Sequence, residues 1–199
     1  MSRVVEFRKF EERDIDFIYR CKNNEKLNGM IVGQFRPFSY EEASQWVRNC
    51  MKGDREDIKF WAVCTNDEEK RIVGWISLAD IDYANKKCST HSIVIGDPDY
   101  NDGLAWLESV LFMLEYAFVQ LGLNRVYGVS LLGHPMSNRI GPLMFMQIEG
   151  VLRQACFKDG IFYDLQYIGI LKNEYFAHKE AGDYEIMKLI RRLRKMRHE

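Results

Sequence analysis

No apolar run in this 199-residue chain approaches the roughly 18 residues that a membrane-spanning helix needs, so no membrane role is expected. Its first three residues, Met1-Ser2-Arg3, lack the apolar core of a secretory signal, and the expected compartment is the cytoplasm. Cysteine is present without a pattern. Cys21, Cys50, Cys64, Cys88 and Cys156 are odd in number and widely scattered, with no Cys-x-x-Cys pair and no histidine at zinc-ligand spacing. A disulfide framework and a metal site are therefore not expected, and the thiols read as reduced and structural. Internal repeats and low-complexity tracts are also missing. Net charge is small, -1, but unevenly spread: residues 188–199 carry six Lys or Arg against one Glu, leaving the remainder at -6.

What is present is 47% hydrophobic residues with many aromatics, the composition of a globular body. A chain of this length can bury roughly 70% of its unfolded surface in one domain. Val5 and Phe7 mark a first strand, and Glu12-Arg13-Asp14 starts an amphipathic helix carrying Ile15, Ile18 and Tyr19. Asn28-Gly29 and Gly33 mark a loop. Ser39 followed by Glu42 is a capping box, which predicts a helix over 40–51 with Ala43, Trp46, Val47 and Cys50 inward, ended by Gly53-Asp54. Residues 58–65 and 72–82 read as a hairpin about the polar turn 66–70. Asn85-Lys86-Lys87 makes the next turn, and Ser92-Ile93-Val94-Ile95 the third strand of a meander.

That third strand runs into a turn rich in Asp, Pro, Asn and Gly (96–103) and then into a long helix predicted over 104–121. Leu104, Leu107, Leu111, Leu114, Phe118 and Leu121 recur at three- and four-residue spacing, broadened by Val110, Met113 and Ala117. A tight turn entering a helix leaves backbone N–H groups unpaired at the positive end of the helix dipole, a place that holds phosphate or serves as a plain crossover. Residues 125–131 return as a strand in right-handed βαβ geometry. A short helical segment over 137–146, broken by Gly141-Pro142, precedes a hairpin of 150–157 and 161–170 about Lys158-Asp159-Gly160.

This order of elements resembles the GCN5-related N-acetyltransferase (GNAT) fold. Phe7-Arg8-Lys9-Phe10 with Asp14, Ile18 and Tyr19, Ile81-Asp82-Tyr83-Ala84-Asn85, Ile95-Gly96-Asp97-Pro98, Tyr116-Ala117-Phe118, Leu121-Gly122-Leu123-Asn124-Arg125-Val126 and Glu149-Gly150-Val151-Leu152-Arg153-Gln154 resemble its RimJ/RimL-like and spermidine-acetyltransferase-like branch, over about 3–175. The resemblance implies an α/β (α+β) fold: a central mixed, mostly antiparallel sheet of about seven strands with helices on both faces. It places a GNAT domain at 1–176 and a basic amphipathic helix at 177–199. It also implies acetyl-CoA as co-substrate and transfer of acetyl to a primary amine (protein N-terminus, polyamine, amino sugar or antibiotic) in a ternary complex. The alternative is a catalytically degenerate binding or regulatory protein on the same scaffold.

The family's turn reads Q/R-x-x-G-x-G/A. Here its glycine positions fall on Leu104 and Trp106, or, shifted by one residue, on Gly103-Leu104-Ala105, with Asn101 and Asp102 beside them. A carboxylate at Asp102 repels phosphate. His134 and Ser137 fall in the family's next cofactor motif, whose tyrosine position is Gly141, and the family's glutamate base falls on Thr90. Cofactor contacts are therefore expected from the backbone of Val94 and Ile95, from 101–106, and from His134 and Ser137. For catalysis, His91, Asp80 and Asp82 are the titratable residues nearby, of which His91 and Asp82 are the expected pair. An imidazole suits proton transfer near neutral pH.

The tail carries an apolar stripe, Ile186, Leu189, Ile190, Leu193 and Met196, with basic residues around it. It is expected to form a helix over 183–196 that docks on its own domain or across a homodimer. A ribosome- or RNA-binding arm is the competing reading.

Overall fold

The computed structural model describes residues 4–29 and 31–196. The reading of the first three residues and the end of the basic tail (197–199) lie outside the described residues. Along the chain, β1 (Val5–Arg8) leads through a 3-10 turn to α1 (Ile15–Lys22), α2 (Glu25–Asn28) and α3 (Tyr40–Lys52). The meander β2 (Lys59–Thr65), β3 (Ile72–Asp82) and β4 (Lys87–Ile95) follows, then α4 (Leu104–Glu115), β5 (Arg125–Leu131) and α5 (Pro135–Leu143). The hairpin β6 (Gln147–Lys158) and β7 (Ile161–Leu171) precedes α6 (Lys172–Glu180) and α7 (Ile186–Lys195). All seven strands form one sheet in the order β1-β2-β3-β4-β5-β7-β6. β4 and β5 pair in parallel, and every other neighbouring pair is antiparallel.

Side-chain alternation divides the sheet's residues between two cores. On one face α4, α5 and α7 cover Val63, Val73, Ile76, Leu78, Cys88 and Val126; Leu107, Met113 and Leu114 are fully buried there, and Leu189 and Leu193 of the tail join them. On the other, α1 and α3 cover Ala62, Cys64, Ile72, Trp75 and Val94. The Ser39 capping box is made in both directions, with Glu42 N–H to Ser39 Oγ at 3.1 Å and Ser39 N–H to Glu42 Oε2 at 2.8 Å. The four thiols Cys21, Cys50, Cys64 and Cys88 are pushed up to about 11, 12, 11 and 12 by burial, which leaves them protonated and unreactive near neutral pH.

Several boundaries differ from the sequence reading. β4 begins at Lys87, not Ser92, because pairing with β5 on one side and β3 on the other holds a polar segment whose composition gives no strand signal. α4 stops at Glu115, and Tyr116–Gln120 forms a π-helical turn in which Leu121 N–H reaches Tyr116 C=O at 3.0 Å. Of its predicted stripe, Leu104, Leu111 and Leu121 are only partly buried. α5 starts at Pro135 and runs through Gly141-Pro142 without a break; Pro142 sits in the last turn, one residue before the helix ends. α2 lies where the sequence signals loop; Asn24 Oδ1 caps it by accepting from Leu27 N–H at 3.0 Å. The tail helix begins at Ile186, later than 183, and the boundary drawn at 176 falls inside α6.

Glu108 shows how α4 is fixed to the sheet. Its buried carboxylate accepts from the backbone N–H groups of Val4 and Val5 at 3.0–3.1 Å, tying the helix to the start of β1.

Candidate active site

β4 and β5 are paired only from Lys87↔Arg125 to Thr90↔Gly128. Beyond that point β4 stays with β3 and β5 stays with β7, so a gap opens through the sheet. The last paired residues are in close contact. A Cβ on Gly128 would lie 2.8 Å from Thr90 Oγ1, so glycine is what lets the strands meet there before they part. At the same level His91 is the extra residue of a β-bulge, since Ser77 pairs with Ser92 and Leu78 with Thr90.

The gap is the centre of a cavity of ≈ 670 Å³ that reaches both faces. On the α4–α5 face it is lined by Thr90, Ile93, Trp106, His134, Ser137 and Gly141; on the α1–α3 face, by Lys22, Phe38, Trp75, Asp80, His91 and Tyr127. The loop 31–36 closes its rim. That loop is held from a distance: the buried ammonium of Lys158, on β6, donates to the carbonyls of Asn28 and Ile31, each at 2.9 Å.

One polar side chain of the gap stands without a partner among the described residues. Ser130 Oγ, buried on β5 and lining the cavity, has no hydrogen-bond partner among the described residues. Gly96 N–H donates to Val73 C=O at 2.9 Å, and ladder alternation from that bond directs the peptide of Val94 toward β3 and those of Ile93 and Ile95 toward the gap. Of the two strand residues expected to offer backbone, Val94 lines the cavity with its peptide turned to β3, and Ile95, packed in the core, is not among the lining residues; Ile93 is the neighbour whose peptide turns to the gap.

At the N-terminus of α4, Gly103 takes a left-handed conformation (φ 97°) and Asp102 Oδ1 accepts from Leu104 N–H at 2.9 Å. An exposed carboxylate thus occupies one of the donors that a phosphate would use. Asn101 is exposed beside it, Ala105 is packed in the core, and Leu104 is half-buried against that core. From this stretch only Trp106 reaches the cavity, its ring 6.3 Å from that of His134. His134 caps α5, with Nδ1 accepting from Ser137 N–H at 3.2 Å, and burial holds its pKa below the ordinary histidine value. It is therefore neutral near pH 7, with Nε2 carrying the proton.

Asp82 is not brought to the site. Its carboxylate accepts from Asn85 N–H and Nδ2 at 2.8 and 2.7 Å, closing the β3–β4 turn outside the cavity, and those bonds hold its pKa below the usual carboxylate range. Asp80 stands in its place. Held at φ 50° where the β3–β4 register shifts, it accepts from Ser89 Oγ at 3.1 Å and the Tyr127 hydroxyl at 3.2 Å. Burial, then the Asp80 carboxylate, holds the Tyr127 phenol above its ordinary range. Thr90 donates to Tyr127 C=O at 3.3 Å and carries no titratable group. Gly141 offers no phenol, and even a Cβ there would meet Ile168 Cδ1 at 3.1 Å. Lys22, Tyr127 and Lys158 escaped the sequence reading; no local pattern marks them, because each is recruited by packing between distant elements.

Residues 5–141 match the family profile described as an acetyltransferase (GNAT) domain. An uncharacterised N-acetyltransferase of Bacillus subtilis (strain 168), YoaA, is 25% identical over 167 residues, 83% of this chain and 92% of that protein. The spermidine N(1)-acetyltransferase of Vibrio cholerae serotype O1 is 22% identical over 180 residues, 90% of this chain and 100% of that one. A crystal structure of the spermidine N-acetyltransferase from Vibrio cholerae in complex with CoA and spermine superposes with a TM-score of 0.73 at 20% identity, covering 87% of this chain and 98% of the other. A GCN5-related N-acetyltransferase from Brucella melitensis gives 0.75 at 22% identity, covering 93% and 82%. At these identities the structural likeness is one of fold.

Proposed function

This chain belongs to the GNAT family of acetyltransferases, and from that premise we propose that it transfers acetyl from acetyl-CoA to a primary amine, which attacks directly while both substrates are bound. The observation that carries the reading is the gap between β4 and β5, because it joins two chambers on opposite faces of the sheet at a line of unpaired backbone. One chamber takes a thioester arm and the other an amine.

The gap suits a polar arm, since the Ser130 hydroxyl has no partner among the described residues and the peptide of Ile93 turns away from β3 toward the gap. When bound, acetyl-CoA supplies an acetyl group activated as a thioester. A gap-facing peptide N–H donates to carbonyl oxygen without reorganising, and such a donor gains strength as negative charge develops on that oxygen. On the opposite face His91, projecting from the bulge, takes the proton that the amine must lose, directly or through water. Asp80, braced by Ser89 and Tyr127, orients the amine and carries negative charge toward it. Trp106, His134 and Ser137 wall the arm's chamber.

Calorimetric titration with acetyl-CoA, followed by thiol release in the presence of amines, tests this reading. Heat of binding and amine-dependent thiol release are expected. No heat at millimolar ligand would leave the degenerate scaffold, and one observation favours that second reading: Asp102 holds the α4 N-terminus where phosphate is expected.

A further inference from the structure

Lys22 ends α1 with its ammonium inside the cavity wall. Three rings surround it, Trp46, Trp75 and Phe38, at 5.0, 5.2 and 5.4 Å from their centroids. Among the described residues no carboxylate lies within ion-pair distance of it, and no hydrogen bond to its Nζ is formed. The neighbouring cation Arg36 differs, being paired with Glu42 at 2.7 Å. Burial holds the Lys22 pKa below the ordinary lysine value. A lysine in such a setting is a cation lacking its anion.

Strand register sets the spacing between the Trp75 end of the chamber, where Lys22 lies, and the reacting end. Trp75, which its ammonium overlies, pairs with Val94, whereas the bulge at His91 lies two to three residues further along β4. At strand spacing this separation is ~7–10 Å. Among the described residues only one carboxylate, Asp80, lines the cavity, and its contact with Ser89 puts it beyond the bulge from Lys22. The chamber thus offers negative charge and a base at one end and an uncompensated ammonium at the other.

Resting on the amine-acetylation reading above, we infer that the acceptor is a primary amine carrying an anionic oxygen group, carboxylate or phosphate, that seats on Lys22 while the amine lies at His91 and Asp80. Polyamines are disfavoured by the same geometry. A polycation threaded along this chamber meets the Lys22 ammonium where it needs a carboxylate.

Isothermal calorimetry in the absence of acetyl-CoA measures this independently of turnover. The probes are triglycine against triglycinamide, 3-aminopropyl phosphate against 3-aminopropanol, and spermidine. Extended triglycine spans about 10 Å, the distance required. The anionic member of at least one pair should bind roughly tenfold or more tightly, the range of one hydrogen bond to a charged group; which pair discriminates identifies carboxylate or phosphate. Lys22→Met, which keeps the bulk between the rings, should erase the difference. Equal binding within both pairs, no measurable binding of any probe, preference for spermidine, or discrimination that survives in Lys22→Met overturns the inference. The wild-type comparison decides by itself if the variant does not fold. Amine-dependent thiol release from acetyl-CoA with a neutral or cationic amine would leave the acetyltransferase reading standing while this one fell.

Discussion

Replacing Asp102 with Asn separates two roles that one side chain combines at the start of α4. The carboxylate caps the helix by accepting from Leu104 N–H, and it places a negative charge where the pyrophosphate of acetyl-CoA is expected. Asn caps about as well as Asp, so thermal stability should stay within a degree or two of wild type. The charge, however, is removed. Two unit charges about 4 Å apart in water repel by ~1 kcal/mol. Asp102 is exposed, so the high-dielectric figure applies, and a pyrophosphate with two charges a few ångström further out is opposed by roughly 1–1.5 kcal/mol in total. Asp102→Asn should therefore bind acetyl-CoA about tenfold more tightly by calorimetry at low salt. Salt gives a second handle. At about 1 M the Debye length shrinks to roughly 3 Å, and the gap between the two proteins should close. Affinity unchanged in Asp102→Asn at low salt, or a difference insensitive to salt, would refute the placement of phosphate at this turn.

Leu114→Ala, which truncates a fully buried side chain, should lower the urea unfolding free energy by about 2–5 kcal/mol, whereas the same change at half-buried Leu111 should cost distinctly less. Equal midpoints for the two would mean that the π turn lets α4 re-pack. Lys158→Met leaves the Asn28 and Ile31 carbonyls without their donor. It should raise KM for the amine several-fold with a smaller change in kcat, and an unchanged KM in steady-state assays would show that the rim loop does not shape the acceptor chamber. His134 is neutral in the folded protein with a lowered pKa. The unfolded chain therefore binds the extra proton first, and stability falls as pH drops below about 6.5. His134→Asn keeps a capping side chain and removes that titration, so the melting temperatures of wild type and variant should diverge between pH 7 and pH 5.5, with wild type falling faster. Parallel curves would show that His134 protonates freely.

Sheet, helices and their order were legible because each rests on local periodicity or a local cap. The Ser39–Glu42 box, the Asp159-Gly160 turn and the leucine spacing of α4 are all written within a few residues. What was illegible depends on partners far away in sequence. β4 extends back to Lys87 only because β5 waits thirty-eight residues on, at Arg125, to pair with it. The site shows the same division. His91, His134, Ser137 and Trp106, named from the sequence, line one cavity. Asp80 and Asp82 differ by two residues, and only Asp80 lines the cavity: the backbone turn at φ 50° that holds it there is set by a register shift, not by residue type. Lys22 could not be singled out at all, since its rings come from α3, β3 and the loop before α3.

The opening between β4 and β5 is made from hydrogen bonds that the sheet leaves unmade, and this has a genetic corollary. A grip supplied by main-chain groups has no codon of its own. In a saturation-mutagenesis scan the residues along that opening should tolerate many exchanges of side chain, with sensitivity concentrated at Gly128, where a Cβ would press on the Thr90 hydroxyl at the last paired position. On the function proposed above, lineages of this enzyme are then free to lose side-chain motifs one at a time, by ordinary drift, long before they lose the opening itself.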